Sequence, residues 1–197
     1  MDILKAGLIK ALLHLLSLLP LSAARWLGRF AARLYWPFGG RSRAVTERNI
    51  ELAFPELAPQ EQTALARRSL MATAELAAEM GHVWLRSWEY VQTLMLRVEG
   101  EHQITDCLAA GRGVIVLAPH LGNWEIIGLH LGLLGSTVSL YEPPALASLG
   151  PMIERGRQRS GATLVPTDSR GLARLLRSVK QGHISGILPD QAPSDIN

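Results

Sequence analysis

The sequence predicts an α/β fold in which a mainly parallel central sheet is flanked by helices and preceded by a membrane-anchoring helix and a helical segment. Three features of the 197 residues predict this fold: an oily N-terminus followed by arginines, a middle segment rich in helix formers, and a later alternation of short apolar runs with helix-like stretches. Such alternation is typical of parallel sheets. We expect an N-terminal membrane anchor at 1–40 and an α/β domain at 41–197.

The first element is an uncharged apolar stretch, "ALLHLLSLLPLSAA", which runs from Ala11 to Ala24. A membrane span needs about 20 residues, but Lys10 and Arg25 can extend the window by snorkelling. The stretch therefore predicts a transmembrane helix or an interfacial helix. A cleaved signal peptide and a helix buried in a homo-oligomer are the alternatives. The arginines that follow argue against the signal peptide and favour a cytoplasmic location for the rest of the chain.

The next segment, "SAARWLGRFAARLYW", carries a basic and an apolar stripe at helical spacing. The basic stripe contains Arg25, Arg29 and Arg33, and the apolar stripe contains Trp26, Phe30 and Leu34. A helix of this kind lies in the headgroup layer of an anionic phospholipid membrane. We therefore expect such a membrane to be a partner of the chain.

The remaining elements follow after "YWPFGG", whose proline and glycines end the anchor. Residues 45–95 are rich in Ala, Leu and Glu and predict helices. The predicted strands are 113–118, 137–141, 162–165 and 184–188, and the predicted helices between them are 124–134, 146–158 and 169–181.

Several classes of function are disfavoured. The sequence has no G-x-S-x-G elbow, no G-K-[ST] loop, no H-E-x-x-H motif and no cysteine pair, so no metal or nucleotide cofactor is expected. Its 20 Lys and Arg against 17 Asp and Glu give only a mildly basic balance, so no nucleic-acid partner is expected. The single cysteine, Cys107, is interpreted as a buried packing residue.

One motif stands out, "VLAPHLGNWEIIG" at 116–128. His120 follows a predicted strand, at the sheet edge where α/β proteins bind ligands, and Asn123 is a good N-cap for the next helix. We expect Glu125, in the first turn of that helix, to orient the imidazole, whose second nitrogen then takes a proton. Because the pair lacks a nucleophile of its own, we expect the attacking hydroxyl to come from a substrate.

The string "HLGNWE" resembles the H-x-x-N-W-E signature of the bacterial lipid A biosynthesis (lauroyl/myristoyl) acyltransferases. This family lies within the glycerolipid acyltransferase group, which shares an H-x4-D/E motif. Three further blocks resemble the family in the same order: "ERNIELAFPELAPQE" at 47–61, "GRQRSG" with Arg157 and Arg159, and "LPDQ" with Asp190. Family members continue beyond the P-D-Q block, so we expect that the C-terminal part of the family fold is missing.

The resemblance implies an acyltransferase of lipopolysaccharide biosynthesis at the cytoplasmic face of the bacterial inner membrane. It would move a fatty acyl chain from acyl–acyl carrier protein to a hydroxyl of a lipid A precursor, a membrane glycolipid. His120 would be the base and Glu125 its orienting partner, and no metal is needed. The residues implied to bind substrate are Asn123 (at the oxyanion), Arg157, Arg159 and Asp190.

Other readings stay open. From composition alone, Arg157 could belong to a solvated basic helix face and Asp190 to a turn. The acceptor could be another lipid, such as a lysophospholipid, an aminolipid or a glycolipid. Water as the acceptor would make the chain a thioester hydrolase, and a truncated, non-catalytic membrane-bound paralogue is the alternative outside enzymology.

Overall fold

The computed structural model describes residues 2–190, which divide into two compact units. The helical unit comprises residues 11–85, and the α/β unit comprises residues 2–10 with 86–190. The helices are α1 (Asp2–Leu18), α2 (Leu21–Tyr35), α3 (Arg41–Ala53), α4 (Pro59–Leu85), α5 (Trp88–Leu94), α6 (Glu101–Ala109), α7 (Trp124–Leu134), α8 (Gly150–Gln158) and α9 (Ser169–Lys180). The strands are β1 (Val114–Leu117), β2 (Thr137–Tyr141), β3 (Thr163–Pro166) and β4 (Ile184–Ile187).

The four strands form one sheet in the order β1-β4-β2-β3, and every pair is parallel. The predicted α/β class with a parallel sheet is therefore confirmed. The last residues of β1 and β4 are register partners, Leu117 opposite Ile187. The loops that leave these two neighbouring strands consequently emerge side by side at the carboxyl edge of the sheet.

Helices connect the strands as parallel crossovers. Crossovers of this kind are right-handed, which places α7 and α8 on one face of the sheet and α9 on the other. The contacts agree, because α7 packs on α8 while α9 packs on β2, β3 and β4. Leu175 of α9 is fully buried against Val138 and Val165, and Leu129 of α7 is buried as well. Helices thus pack on both faces of the sheet.

In the helical unit, α2 packs closely against α4. A Cβ atom on Gly28 would lie 2.5 Å from the carbonyl oxygen of Ala74, so only glycine permits this approach. Arg25 and Arg29 pair with Glu79 and Glu75 of α4, at 2.6 Å and 2.8 Å. Two of the three arginines of the predicted basic stripe are therefore paired with carboxylates of α4.

The predicted N-terminal span is divided into two helices. Proline has no amide hydrogen and disfavours helical backbone in the residue before it, and α1 ends at Leu18, just before Leu19 and Pro20. Among residues 2–190, no helix is long and apolar enough to cross a bilayer. The predicted transmembrane helix is thus not supported. The boundary at residue 40 between an anchor and a catalytic domain stays a prediction.

Candidate active site

His120 and Asp190 meet at the carboxyl edge of the sheet. Each lies three residues beyond the end of its strand, His120 after Leu117 of β1 and Asp190 after Ile187 of β4. The backbone N–H of His120 donates to Oδ2 of Asp190 over 2.9 Å, and its ring Nδ1 lies 3.0 Å from Oδ1. One carboxylate therefore contacts both the backbone and the imidazole of His120.

This contact determines what the imidazole can do. The ring and backbone N–H groups of His120 lower the pKa of Asp190, so its carboxylate is charged and accepts a hydrogen bond from Nδ1–H. The second ring nitrogen, Nε2, accepts no hydrogen bond from any group in residues 2–190, and 27% of the side chain is exposed. A neutral imidazole fixed in this tautomer presents an unprotonated Nε2 to a ligand.

Glu125 does not bind His120, so the predicted hydrogen bond between them is wrong. Its carboxylate instead accepts from Arg157 of α8, with Nε at 2.9 Å from Oε2 and Nη2 at 2.6 Å from Oε1. Gly122, at φ 58°, turns the chain between His120 and α7. Glu125 is the second residue of α7, the helix that packs on α8. The packing of the two helices therefore directs Glu125 to Arg157.

Two aromatic rings flank the Arg157 guanidinium. Its Cζ lies 5.1 Å from the ring centroid of Trp124 and 5.3 Å from that of Tyr141. The Trp124 ring in turn contacts the His120 ring edge-on, with centroids 4.8 Å apart and planes at 67°. Burial raises the pKa of Tyr141, so its phenol is neutral. Trp124 therefore connects the Glu125–Arg157 pair to the histidine.

Two predicted site residues take other positions. Asn123 is the residue before α7, and its side chain makes no capping hydrogen bond there. Arg159 is partly buried and donates from Nη1 to the carbonyl of Arg86. Burial lowers the pKa of the Arg159 guanidinium. Of the six predicted residues, the described contacts join four as two pairs, His120 with Asp190 and Glu125 with Arg157.

A small pocket of about 60 Å³, partly open to solvent, lies between α7 and the sheet. Trp124, Glu125 and Arg157 contribute to its lining. The remaining lining is mainly aliphatic and includes Ala118, Leu129, Leu131, Leu140, Leu164 and Leu188. A pocket of this composition suits a hydrocarbon chain. Within the described residues, no cluster of three His, Cys, Asp or Glu side chains could hold a metal ion.

The comparisons with known proteins agree with the motifs. A family model described as bacterial lipid A biosynthesis acyltransferase matches residues 2–195. The lipid A biosynthesis palmitoleoyltransferase of Escherichia coli (strain K12) is 24% identical over 179 residues, which cover 88% of this chain and 56% of the relative. The lipid A biosynthesis lauroyltransferase of the same organism is 24% identical over 164 residues, which cover 83% and 51%.

A third relative, a lipid A biosynthesis acyltransferase of Haemophilus influenzae (strain ATCC 51907 / DSM 11121 / KW20 / Rd), is 26% identical over 140 residues, 71% of this chain and 44% of the relative. The chain thus spans about half the length of the curated relatives it matches. The family match itself extends over almost every residue, including the whole of the site described above. The chain belongs to the bacterial lipid A biosynthesis acyltransferase family.

Proposed function

We propose that this protein is an acyltransferase that moves a fatty acyl chain from an acyl–acyl carrier protein thioester to a hydroxyl of a lipid A precursor. The observation that carries the proposal is the two-point contact between His120 and Asp190, which leaves Nε2 available at the edge of the sheet. An imidazole held in this way is a general base without a protein nucleophile beside it. A hydroxyl of the acceptor then supplies the attacking oxygen.

In the proposed reaction, Nε2 of His120 removes the proton of the acceptor hydroxyl while the oxygen attacks the thioester carbonyl. Asp190 stabilises the imidazolium that forms, as the carboxylate does in hydrolase triads. The tetrahedral intermediate then breaks its carbon–sulfur bond. The departing thiolate takes the proton from Nε2–H, which leaves an ester product, a free thiol and a neutral histidine.

The aliphatic lining of the pocket between α7 and the sheet supports a hydrocarbon group as part of the transferred acyl chain. We assign Asn123 as the donor to the developing oxyanion, because it precedes α7 in the same loop as His120. Arg157 is not a free cation, since Glu125 neutralises it. We propose that Arg157 has a structural role, because it connects Glu125 to Trp124. Arg159 stays a candidate for contacts with the acceptor.

We also propose that the helical unit attaches the protein to the cytoplasmic face of the bacterial inner membrane as an interfacial anchor. Its exposed apolar side chains include Leu12, Leu15, Leu18, Trp26, Phe30, Leu34 and Phe38. The rings of Trp26 and Phe30 stack at 5.1 Å, which makes one aromatic patch of the two. Exposed apolar area of this extent suits an anionic membrane surface, where a lipid acceptor would be available.

The proposal is tested by incubating the protein with acyl carrier protein thioesters and candidate lipid acceptors, with products identified by mass spectrometry. We expect an acylated lipid A precursor from the wild type and none from His120→Ala. If the acylated product is a lysophospholipid, an aminolipid or another glycolipid, that lipid is the acceptor in place of the lipid A precursor. If the only product is free fatty acid, the protein is a thioester hydrolase. Equal activity in folded His120→Ala would contradict the mechanism. No product from a folded wild type would favour the non-catalytic alternative.

A further inference from the structure

We propose that Trp124 is a positioning residue that holds the His120 ring against Asp190, and that Glu125 and Arg157 act on the histidine only through this tryptophan. The inference rests on the proposed function and deepens it. It gives the acidic residue of the motif an indirect role, since the carboxylate of Glu125 is bonded to Arg157 and not to the imidazole.

The first step is the fixed orientation of the guanidinium. Two nitrogens of Arg157 bond to the two carboxylate oxygens of Glu125, and only 3% of the Glu125 side chain is exposed. A bidentate contact of this kind defines the plane of the guanidinium as well as its position. Because the carboxylate of Glu125 is buried, water does not compete with Arg157 for its hydrogen bonds.

The second step is the contact between Arg157 and the tryptophan. A planar guanidinium packs on an aromatic face by cation–π attraction, which is strongest for indole. Arg157 lies between two rings, 5.1 Å from the centroid of Trp124 and 5.3 Å from that of Tyr141. This arrangement limits the side-chain rotation of Trp124, the first residue of α7.

The third step is the contact between Trp124 and His120. Their edge-on packing, with centroids 4.8 Å apart, restricts rotation of the imidazole on one side. The hydrogen bond from Nδ1 to Asp190 is partly open to water, since 38% of the Asp190 side chain is exposed. A hydrogen bond in such surroundings gives weak orientation by itself. We infer that the packing of Trp124 supplies the remaining constraint.

The experiment compares Trp124→Leu with Trp124→Phe, which keeps an aromatic ring, in protein labelled with 15N at histidine. The tautomer of His120 is read from the chemical shifts of its ring nitrogens, and acyl transfer is measured in parallel. In Trp124→Leu we expect a mixture of tautomers and a kcat about 100-fold lower with little change in KM, as misplacement of a reacting group predicts. Trp124→Phe should recover most of both.

Glu125→Gln and Arg157→Lys test the remote end of the same chain of contacts. Both substitutions should shift the tautomer population of His120 in the same direction as Trp124→Leu does, although neither Glu125 nor Arg157 is bonded to the imidazole. The matched control is Trp36→Leu in the helical unit, where Arg43 lies over the Trp36 ring at 4.5 Å. This change removes an arginine–tryptophan stack of the same kind and should leave the His120 tautomer as in the wild type.

A folded Trp124→Leu variant with the wild-type tautomer and wild-type kcat would overturn the inference. So would a shift in Trp124→Leu that Glu125→Gln and Arg157→Lys both fail to reproduce. The tautomer measurement needs no acyl transfer, so the two proposals can fail separately. A tautomer shift in a protein that transfers no acyl group would uphold the positioning role and reject the enzymatic one.

Discussion

His120 and Asp190 occupy equivalent positions beyond two paired strands, and one carboxylate contacts both the backbone N–H and the ring Nδ1 of the histidine. The backbone contact holds the loop after β1 to the loop after β4, and the ring contact sets the tautomer. These two contacts make Asp190, and not Glu125, the direct partner of the imidazole. Substitutions of the two acidic residues should therefore have different consequences.

Asp190→Asn should abolish most of the acyl transfer. An amide in this position can donate to Nδ1 and so stabilise the tautomer with the proton on Nε2, which cannot accept the proton of the acceptor. The loss of kcat should reach about 10⁴-fold, as for the corresponding change in a serine protease triad. Steady-state kinetics with an acyl thioester and a lipid acceptor measure it. Circular dichroism serves as the control for folding, and a kcat near that of the wild type would exclude Asp190 as the partner of the base.

The stability of the fold should depend on pH through Asp190. The N–H groups of His120 lower the pKa of this carboxyl below its ordinary value. The unfolded chain therefore takes up the proton at a higher pH than the folded chain. Between these two pKa values, the free energy of unfolding decreases as the pH is lowered. The contribution is fully present above the ordinary pKa of an aspartic acid and is lost as the pH falls through the folded pKa.

The measurement is urea denaturation at several pH values from neutral to acidic, for the wild type and Asp190→Asn. The difference in the free energy of unfolding between them should be constant above the ordinary pKa and shrink below it. Glu89→Gln is a suitable comparison, because the pKa of Glu89 is lowered mainly by hydrogen bonds at the start of α5. A difference that grows on acidification would contradict the assigned sign.

The contacts of the predicted site residues differ from those that the sequence suggested. The string "HLGNWE" suggested that His120 pairs with Glu125, because the two are close in sequence. Sequence distance along one loop cannot reveal that α8 packs on α7 and brings Arg157 to the carboxylate. Asp190, which is 70 residues from His120, becomes its partner through the pairing of β1 with β4. A signal was present, since "LAPH" and "ILPD" both place a polar residue after an apolar strand and a proline.

In the fold, too, local features were predicted and long-range contacts were not. Short apolar runs at residues 113–118 and 184–188 identified β1 and β4 within one residue of their observed ends. A strand can be identified in this way because its apolar residues are consecutive in the sequence. The order of the strands in the sheet cannot be read from such local patterns. This order brings the loop after β1 next to the loop after β4. The N-terminal segment was predicted less well. Its overall apolar character predicted one spanning or interfacial helix, whereas the single residue Pro20 divides it into two helices.

A larger side chain in place of Gly128 in α7 should shorten the acyl chain that the protein prefers. Gly128 lines the aliphatic pocket, and a Cβ atom on it would meet no atom within 4 Å. Gly128→Leu therefore places a side chain in the pocket without a steric clash at its base. With thioesters of different chain length, we expect a preference for shorter chains, with about 0.8 kcal/mol lost for each methylene group that no longer fits. Gly128→Ala should change the preference less, and an unchanged profile in Gly128→Leu would exclude this pocket as the acyl site.

The exposed aromatic side chains of α2 should contribute to membrane binding. Trp26 and Phe30 are 55% and 44% exposed, so insertion of each half-exposed ring gains about 0.7–1.5 kcal/mol. Trp26→Ser and Phe30→Ser should each weaken co-sedimentation with phosphatidylglycerol vesicles about threefold to tenfold. Leu172→Ser in α9, which removes an exposed leucine from the α/β unit, is the control. Equal binding of all three variants would show that the aromatic patch does not contact lipid.

The Glu125–Arg157 pair should affect stability and activity in separable ways. Glu125→Leu leaves the partly buried guanidinium of Arg157 without its carboxylate, and loss of one partner from a buried ion pair costs about 3–5 kcal/mol. Replacement of both residues, as Glu125→Leu with Arg157→Met, removes the uncompensated charge. The double variant should therefore recover most of the free energy of unfolding measured in urea.

Activity should not recover with stability, because an apolar pair no longer fixes the guanidinium over Trp124. The double variant should retain the low kcat of Glu125→Leu, even where its free energy of unfolding approaches that of the wild type. Stability and kcat that recover together would mean that the pair serves only the fold. A stable double variant with low kcat would separate the two roles, since the fold requires only that this space be filled without an unpaired charge, whereas His120 requires that Trp124 be held in place.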